Sequence, residues 1–332
     1  MPTTHPADDR AAPSFAVDAA KALALLHKGD LDEGLARYAS AMQQDGARAA
    51  LPFGLHLRML ERGGRTAAAD ALRDHILQAG GDISASAALN QSAEEIVADY
   101  RDLFACGFAN SSMLANYLVL LSRLGQSSQM AELVDPQRHV KQVRVLPRAG
   151  LSLWSSAAAM LAAKRGEENW QESVKSVRRM HVIRGLEQYD APVSVLLQEI
   201  HDQVARYVDE ARRRPSKSLN WVPANYRISA WAVISTGEGF NVPHIHHRGW
   251  LSGTLYLAGP DETGPDGYPA GALRVGRPAG MEASAPGWPD LTFAPAPGTL
   301  VLMPSYFTHW TLPIGKPSLR AAIAFDVIDR RQ

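Results

Sequence analysis

Cysteine is almost absent: Cys106 stands alone among 332 residues. One thiol excludes an internal disulfide and any zinc site built from several cysteines, and it reads as a small buried hydrophobe. Net charge is absent as well. The 34 Lys and Arg balance 34 Asp and Glu, so no field of one sign draws the chain to nucleic acid or to a membrane surface. No apolar run reaches the roughly 20 residues of a transmembrane helix. The opening Met1-Pro-Thr-Thr-His-Pro-Ala-Asp-Asp-Arg lacks the apolar centre and basic flank of a signal peptide. The expectation is a cytoplasmic protein in a reducing compartment, with no membrane and no nucleic-acid partner. At 46% hydrophobic and 20% charged residues the composition is that of a globular protein, and the length suits two domains or three.

The texture changes along the chain. Residues 1–13 are polar, carry prolines, and read as a disordered N-terminus. From Ser14 the chain is rich in Ala and Leu at helical spacing. Ala22, Leu25, Leu26 and Gly29 lead into Leu31, Gly34, Leu35, Tyr38, Ala41 and Met42. That order resembles a tetratricopeptide repeat, with a weaker second copy at Gly64, Ala69, Ile76 and Leu77 and with Arg73 in the aromatic slot. A plain helical bundle using small residues is the alternative. A third helix pair, Ile96–Phe104 and Met113–Leu124, ends at Gly125. These features predict an all-α, repeat-like domain over 14–150. Residues 151–218 read as connecting and supporting helices at Leu151–Lys164, Asn169–Arg184 and Pro192–Arg214. The last has Val195, Leu196, Ile200, Val204, Tyr207 and Val208 at helical spacing, and its end at Arg212-Arg-Arg-Pro215 suits the negative pole of a helix.

After residue 214 come most of the 21 prolines, with β-branched and aromatic residues in short runs. Short strands joined by tight turns require this. Strands are expected at Tyr226–Ile234, Gly249–Leu257, Ala272–Val275, Leu300–Met303 and Leu319–Ile328. Asp261–Gly271 and Pro278–Asp290 read as loops. The fold class is thus α+β: an N-terminal helical-repeat domain, then a C-terminal β domain over 219–332.

The chemistry gathers in that β domain. Asn241-Val-Pro-His244-Ile-His246-His247 holds three histidines within four residues. Side chains alternate along an extended segment, so His244 and His246 share a face and His247 points away. Neutral imidazole is the commonest protein metal ligand, and two on one strand face make two-thirds of a facial site. A third, His309, follows 63 residues after His246, behind the turn and strand Pro297-Gly298-Thr-Leu-Val-Leu-Met-Pro304. Eleven residues later Arg320 opens the apolar strand Arg-Ala-Ala-Ile-Ala-Phe-Asp-Val-Ile. Surface histidines in a Pro/Gly loop are the plain alternative for the cluster.

The words Trp231-Ala-Val-Ile, His244-x-His246, Leu251-Ser-Gly-Thr-Leu-Tyr256, Gly271-x-Leu273, Pro297-Gly298, Met303-Pro304-Ser305 and His309 recur in one order. Over residues 221–328 this pattern resembles a bacterial and phage branch of the double-stranded β-helix (jelly-roll) dioxygenases that use Fe(II) and 2-oxoglutarate. The resemblance implies Fe(II) on His244, His246 and His309, with 2-oxoglutarate and O2 as co-substrates. It implies Arg320 as the anchor of the far carboxylate of 2-oxoglutarate, since a guanidinium can grip a carboxylate with two parallel hydrogen bonds. Tyr256 and Ser252 join it as co-substrate contacts. One departure stands out: the superfamily usually has Asp or Glu where this chain has His246. Three-histidine sites do occur on this architecture, in thiol and diketone dioxygenases. A carboxylate from the next loop, Asp261, Glu262 or Asp266, is the candidate to replace or join His246.

Other residues have duller readings beside functional ones. His247 is open to a substrate contact. Trp231, Trp250 and Trp310 read as core or pocket wall. Arg274 and Arg277 read as solvated strand ends, or as contacts to an acidic substrate. Helical repeats bind extended peptides in a concave groove, so the expected substrate is a peptide or protein side chain and the expected reaction hydroxylation, with a free amino acid or small metabolite second. Two rivals remain. Gly298-x5-Pro304-x-Tyr306-x2-His309 is close to the second cupin motif, although no Glu follows His246 at the spacing of the first. A scaffold with a degenerate barrel is the non-catalytic rival. A fragment starting near residue 165 is expected to keep the metal site.

Overall fold

A computed structural model describes residues 93–105, 109–146, 152–213, 222–264, 267–276 and 290–329, with a few isolated positions besides. The repeat-like segment 14–92 lies almost wholly outside the described residues, as do Cys106, Asp266, Arg277, Met281 and Trp288. The chain divides into two compact units, Met1–Phe108 with Gln332, and Ala109–Arg331. Among the described residues no helix is long and apolar enough to cross a membrane.

In the first unit, helix α1 spans Ala93–Ala105, matching the expected Ile96–Phe104. The second unit opens with α2 (Ser111–Arg123). The Asn110 side chain caps it by accepting from the Met113 amide at 2.9 Å, the role for which Asn is favoured. Short helices α3 (Ser127–Leu133) and α4 (Pro136–His139) follow. Strand β1 (Lys141–Arg144) comes next, then α5 (Ser152–Ala162).

Residues 169–184, expected as a helix, form a hairpin instead: β2 (Trp170–Val174) and β3 (Val177–Ile183). Their β-branched residues, Val174, Val177, Val182 and Ile183, favour extended backbone. The turn at Lys175-Ser176 carries none of the usual hairpin residues, and Lys175 itself takes φ 52°. Residues 151–218 are therefore not all helical. Helix α6 (Val193–Arg213) is where the spacing predicted it, and it buries Val193, Leu196, Ile200, Val204, Tyr207, Val208 and Ala211.

The remaining strands are β4 (Tyr226–Ser235), β5 (Phe240–Asn241), β6 (Leu251–Ala258), β7 (Leu273–Gly276), β8 (Leu291–Phe293), β9 (Thr299–Pro304), β10 (Thr308–Thr311) and β11 (Arg320–Asp329). All pairings are antiparallel. The larger sheet runs β1-β9-β6-β11-β4-β3-β2 with β5 added to β3; the smaller runs β10-β7-β8. This architecture fits the expected jelly roll.

Strand parity sets what each face does. On β11, Ala321, Ile323, Phe325 and Val327 enter the core formed with α5 and α6. Leu251, Leu255, Ala232, Ile234, Leu300 and Leu302 join them from neighbouring strands. Each large side chain fully buried there contributes about 1.5–3 kcal/mol. The alternate residues of β11, Arg320, Ala322, Ala324 and Asp326, face the other way. Register sets Ala322 opposite Tyr256 and Val233, Ala324 opposite Thr254 and Trp231, and Asp326 opposite Ser252 and Ser229. Cross-strand partners share a face, so these residues form one floor, with two alanines between an arginine and an aspartate.

Candidate metal centre

His244, His246 and His309 come together: one ring nitrogen of each lies within 4.8 Å of the others. Backbone pairing closes the 65-residue gap from His244 to His309. The His244 amide donates to the His309 carbonyl at 3.1 Å, and the His309 amide returns a bond to His244 at 3.0 Å. The His246 amide donates to the Ser305 carbonyl at 3.0 Å. The two histidine-bearing segments are thus stitched together by main chain.

The ring nitrogens are sorted by their partners. His244 Nδ1–H donates to the Val242 carbonyl at 2.7 Å, and His309 Nδ1–H donates to the Phe307 carbonyl at 3.1 Å. His246 Nδ1–H donates to Asp326 Oδ1 at 2.5 Å. With each proton on Nδ1, each Nε2 keeps its lone pair. The Nε2 atoms of His244 and His246 stand 3.2 Å apart, two acceptors facing each other with no proton to share. A cation resolves that repulsion. Metal–nitrogen bonds of about 2.1 Å at a right angle put the nitrogens roughly 3 Å apart, so the donor set fits a bound divalent ion. Burial lowers the pKa of His244 to about 4, with His246 adding to the effect. Burial also holds His309 well below the usual imidazole value. Both are neutral near pH 7, as ligands must be.

Among the described residues, neither Asp261 nor Glu262 joins this group. Asp261 is exposed and Glu262 pairs with Lys316. Asp326 is the residue the sequence reading missed. It looks like one charge within an apolar strand, yet it lies six residues from Arg320 and so on the same face. Its Oδ1 also accepts from the Ser252 hydroxyl at 2.7 Å, and Ser252 Oγ lies 2.7 Å from Ser305 Oγ. Ser252, expected at the co-substrate, is thus engaged with Asp326. Gly249 permits the crowding, since a Cβ there would lie 2.3 Å from the Ser305 hydroxyl. The segment after His244 forms no strand, so alternation along an extended backbone does not apply there; His247 is not part of the cluster, and its Nδ1 lies 2.7 Å from Ser112 Oγ.

Arg320 is 3% exposed. Its terminal nitrogens donate to the carbonyls of Gly271, Leu312 and Gly239 and to Met180 Sδ, at 3.1–3.2 Å. The expected pair of parallel bonds to a carboxylate therefore meets a guanidinium with its terminal donors engaged. Its charge is another matter: among the described residues no carboxylate pairs with it. A buried, unpaired cation is costly, and an anion is what this one lacks. Thioether sulfur is a weak acceptor, which makes the Met180 contact the easiest to exchange. Tyr256 is buried, and burial pushes its phenol up to about 12 against the opposing pull of Arg320, so it remains a neutral hydrogen-bond donor. Trp231 lies against His246, ring centroids 5.8 Å apart. Trp250 packs edge-on to Tyr207 in the core. Arg274 is held over the rings of Tyr268 and Trp310 and bonded to Asp290, so it is not a solvated strand end.

Residues 229–326 match the family described as "Putative 2OG-Fe(II) oxygenase". With the three-histidine cluster, the match supports placing the β domain in the 2OG-Fe(II) oxygenase superfamily, whose members use Fe(II), 2-oxoglutarate and O2. The matched span ends on Asp326 and contains every residue of the cluster and Arg320. No curated protein matches the chain. Among solved structures, a Pseudomonas putida prolyl-4-hydroxylase is 16% identical with a TM-score of 0.41, over 64% of this chain and 99% of that one. A Trichoplax adhaerens prolyl hydroxylase in complex with a hypoxia inducible factor oxygen degradation domain peptide fragment is 16% identical with a TM-score of 0.39, over 63% and 93%. A Burkholderia pseudomallei oxidoreductase of the 2OG-Fe(II) oxygenase family is 14% identical with a TM-score of 0.37, over 66% and 92%. Likeness at this level assigns no substrate and no residue role to the β domain.

Proposed function

We propose that this chain is an Fe(II)- and 2-oxoglutarate-dependent dioxygenase that hydroxylates a side chain of a peptide or protein, in the reducing setting its single cysteine suggests. The observation that carries the metal half is the convergence of three histidine rings, one nitrogen of each within 4.8 Å of the others, whose Nδ1 atoms are all engaged elsewhere. Bound Fe(II) supplies dioxygen activation coupled to oxidative decarboxylation of 2-oxoglutarate. The protein's part is orientation. His244, His246 and His309 hold one face of the ion and leave the other for co-substrates. Arg320 offers the buried positive charge for the far carboxylate, beyond a floor of Ala322 and Ala324 small enough to leave room for it. Tyr256, across from Ala322, keeps a phenolic proton to donate. The peptide half rests on the repeat-like sequence of residues 14–92 alone.

The test is an anaerobic titration of the full chain with Fe(II) and 2-oxoglutarate, watching for the visible charge-transfer band of the chelate. The expected result is one band saturating at one equivalent, absent in His244→Ala and His309→Ala. Stoichiometric iron retained in both variants would refute the ligand assignment. Metal binding with no response to 2-oxoglutarate would favour the cupin-type reading. A panel of peptides screened for 2-oxoglutarate-dependent O2 uptake tests the substrate class.

A further inference from the structure

The three histidines are not equivalent. His244 and His309 donate their Nδ1 protons to neutral main-chain carbonyls. His246 alone donates to a carboxylate, and His246 alone stands where the superfamily pattern has Asp or Glu. The ligand that replaces a carboxylate is the one with a carboxylate behind it. We propose that Asp326 is a positioning residue that returns the missing negative charge to the metal centre through His246. The inference rests on the metal-site reading above.

The surroundings are arranged for that task. Asp326 is on the central strand β11, and Ser252 on the adjacent β6 fixes the same oxygen that His246 uses. Ser305 touches both ends of the arrangement: its carbonyl takes the His246 amide, and its hydroxyl meets Ser252. His246 is therefore held by main chain at one end and by a charged acceptor at its ring. A carboxylate on the outer nitrogen of a ligating imidazole fixes the ring and its tautomer and makes the inner nitrogen a stronger donor. With three neutral ligands a divalent ion keeps its full +2 charge; Asp326 lowers the total to +1, the value a directly bound carboxylate would give. The ligand contact and the charge are divided between a residue of the loop before β6 and one on β11.

The claim predicts a coupling between positions 246 and 326. The full-length chain is titrated anaerobically with Fe(II), and separately with Co(II), whose visible bands report coordination, as wild type, Asp326→Asn, His246→Asp, and the double variant. Thermal unfolding of each metal-free form checks the fold. Asp326→Asn is expected to weaken metal binding about 10- to 100-fold, the usual cost of losing such a partner. His246→Asp is expected to bind metal directly. In that background Asp326→Asn is expected to be neutral or favourable, because it removes a like charge beside the new carboxylate. An equal loss in both backgrounds would overturn the proposal in favour of a general structural role, and no loss in either would overturn it outright. Failure of the wild type and of His246→Asp to bind either metal would instead refute the metal-site reading underneath. Should Asp326→Asn not fold, Ser252→Ala carries the test: it withdraws one restraint on Asp326 and is expected to cost several-fold in affinity with His246 present and nothing in the His246→Asp background, and an equal cost in both would overturn the proposal.

Discussion

Arg320 holds three carbonyls and a sulfur while its charge stays unpaired among the described residues, and that double role shapes what substitution does. Removing the side chain leaves the carbonyls of Gly271, Leu312 and Gly239 buried without a donor, at about 1–3 kcal/mol each. Arg320→Ala should therefore unfold more readily in denaturant. Arg320→Lys is the cleaner probe. It keeps a cation but loses the planar fork, and the apparent dissociation constant for 2-oxoglutarate should rise roughly tenfold, about 1.4 kcal/mol, with Fe(II) binding unchanged. A wild-type 2-oxoglutarate titration in the lysine variant would remove Arg320 from the co-substrate site. A second residue-scale prediction concerns His139, buried at 1% exposure, its ring edge-on to Phe307. Burial lowers its pKa from 6.5 to about 4, Asp135 opposing and Arg138 and Lys141 adding. The unfolded chain takes up a proton near 6.5 that the folded chain refuses until about 4, so the stability this neutral ring contributes is complete above 6.5 and lost as pH falls toward 4. Between pH 7 and pH 5 that is about 2 kcal/mol. Metal-free His139→Gln should show a correspondingly shallower loss in denaturant unfolding at the two pH values, because His244 and His309 contribute equally to both proteins; identical losses would refute the assignment. The histidine cluster was legible because two histidines two residues apart and a third on a later strand stand out in the sequence. Asp326 was not, since a lone charge in an apolar strand has several explanations until its neighbours are known. Its even separation from Arg320 was the available clue.

At the scale of elements, α2 to α4 brace the two segments that lead to the histidine cluster, around Gly249 and around Tyr306. Ser111 Oγ donates to the Gly249 carbonyl at 2.6 Å, and Ser112 meets His247. The Tyr306 hydroxyl donates to the Leu133 carbonyl at 2.7 Å, and Tyr207 donates to the His139 carbonyl at 2.8 Å. Strand β1 is itself paired with β9. This corrects the expectation that a fragment starting near residue 165 would keep the metal site, since such a fragment loses one strand of the sheet and the brace on both segments. It should express poorly and bind Fe(II) weakly or not at all; a stable fragment with stoichiometric metal would refute the bracing role. Ser111→Ala with Ser112→Ala is the milder test. Two hydrogen bonds of about 0.5–1.5 kcal/mol each are removed, and metal affinity should fall several-fold while the fold persists. The strands of the β domain were legible because Gly and Pro punctuate apolar runs there. The β2–β3 hairpin was not: its turn is Lys175-Ser176, and Arg178 and Arg179 beside Val177 and Met180 imitate a helix with a basic face. Tertiary pairing with β4 and β5 settles those residues as strand, where the β-branched residues alone left helix and strand in competition.

At the scale of the whole molecule, the boundary between compact units falls at residue 109, not near 150, where the helical composition fades. The composition misleads because α2, α3 and α5 are rich in Ala, Leu and Ser like the repeat-like segment, yet they belong to the same unit as the sheet. The boundary turns the question of what the N-terminal unit does into a sharper experiment. A chain begun at Ala109 keeps all three histidines, Asp326, Arg320, the brace and every described strand. It should bind one Fe(II), form the 2-oxoglutarate chelate with wild-type affinity, and decarboxylate 2-oxoglutarate slowly without substrate. If residues 1–108 engage an extended peptide, the shortened chain should lose tight peptide binding while its co-substrate affinity stays within about twofold, because the two functions then draw on separate units. Binding is measured by titrating a labelled peptide taken from the screen, and the chelate by its visible band. A shortened chain that folds but holds no metal would mean that the first unit contributes to the centre itself. One that turns over the peptide as fast as the full chain would sever the repeat-like segment from recognition, and a free amino acid or small metabolite would become the better substrate class.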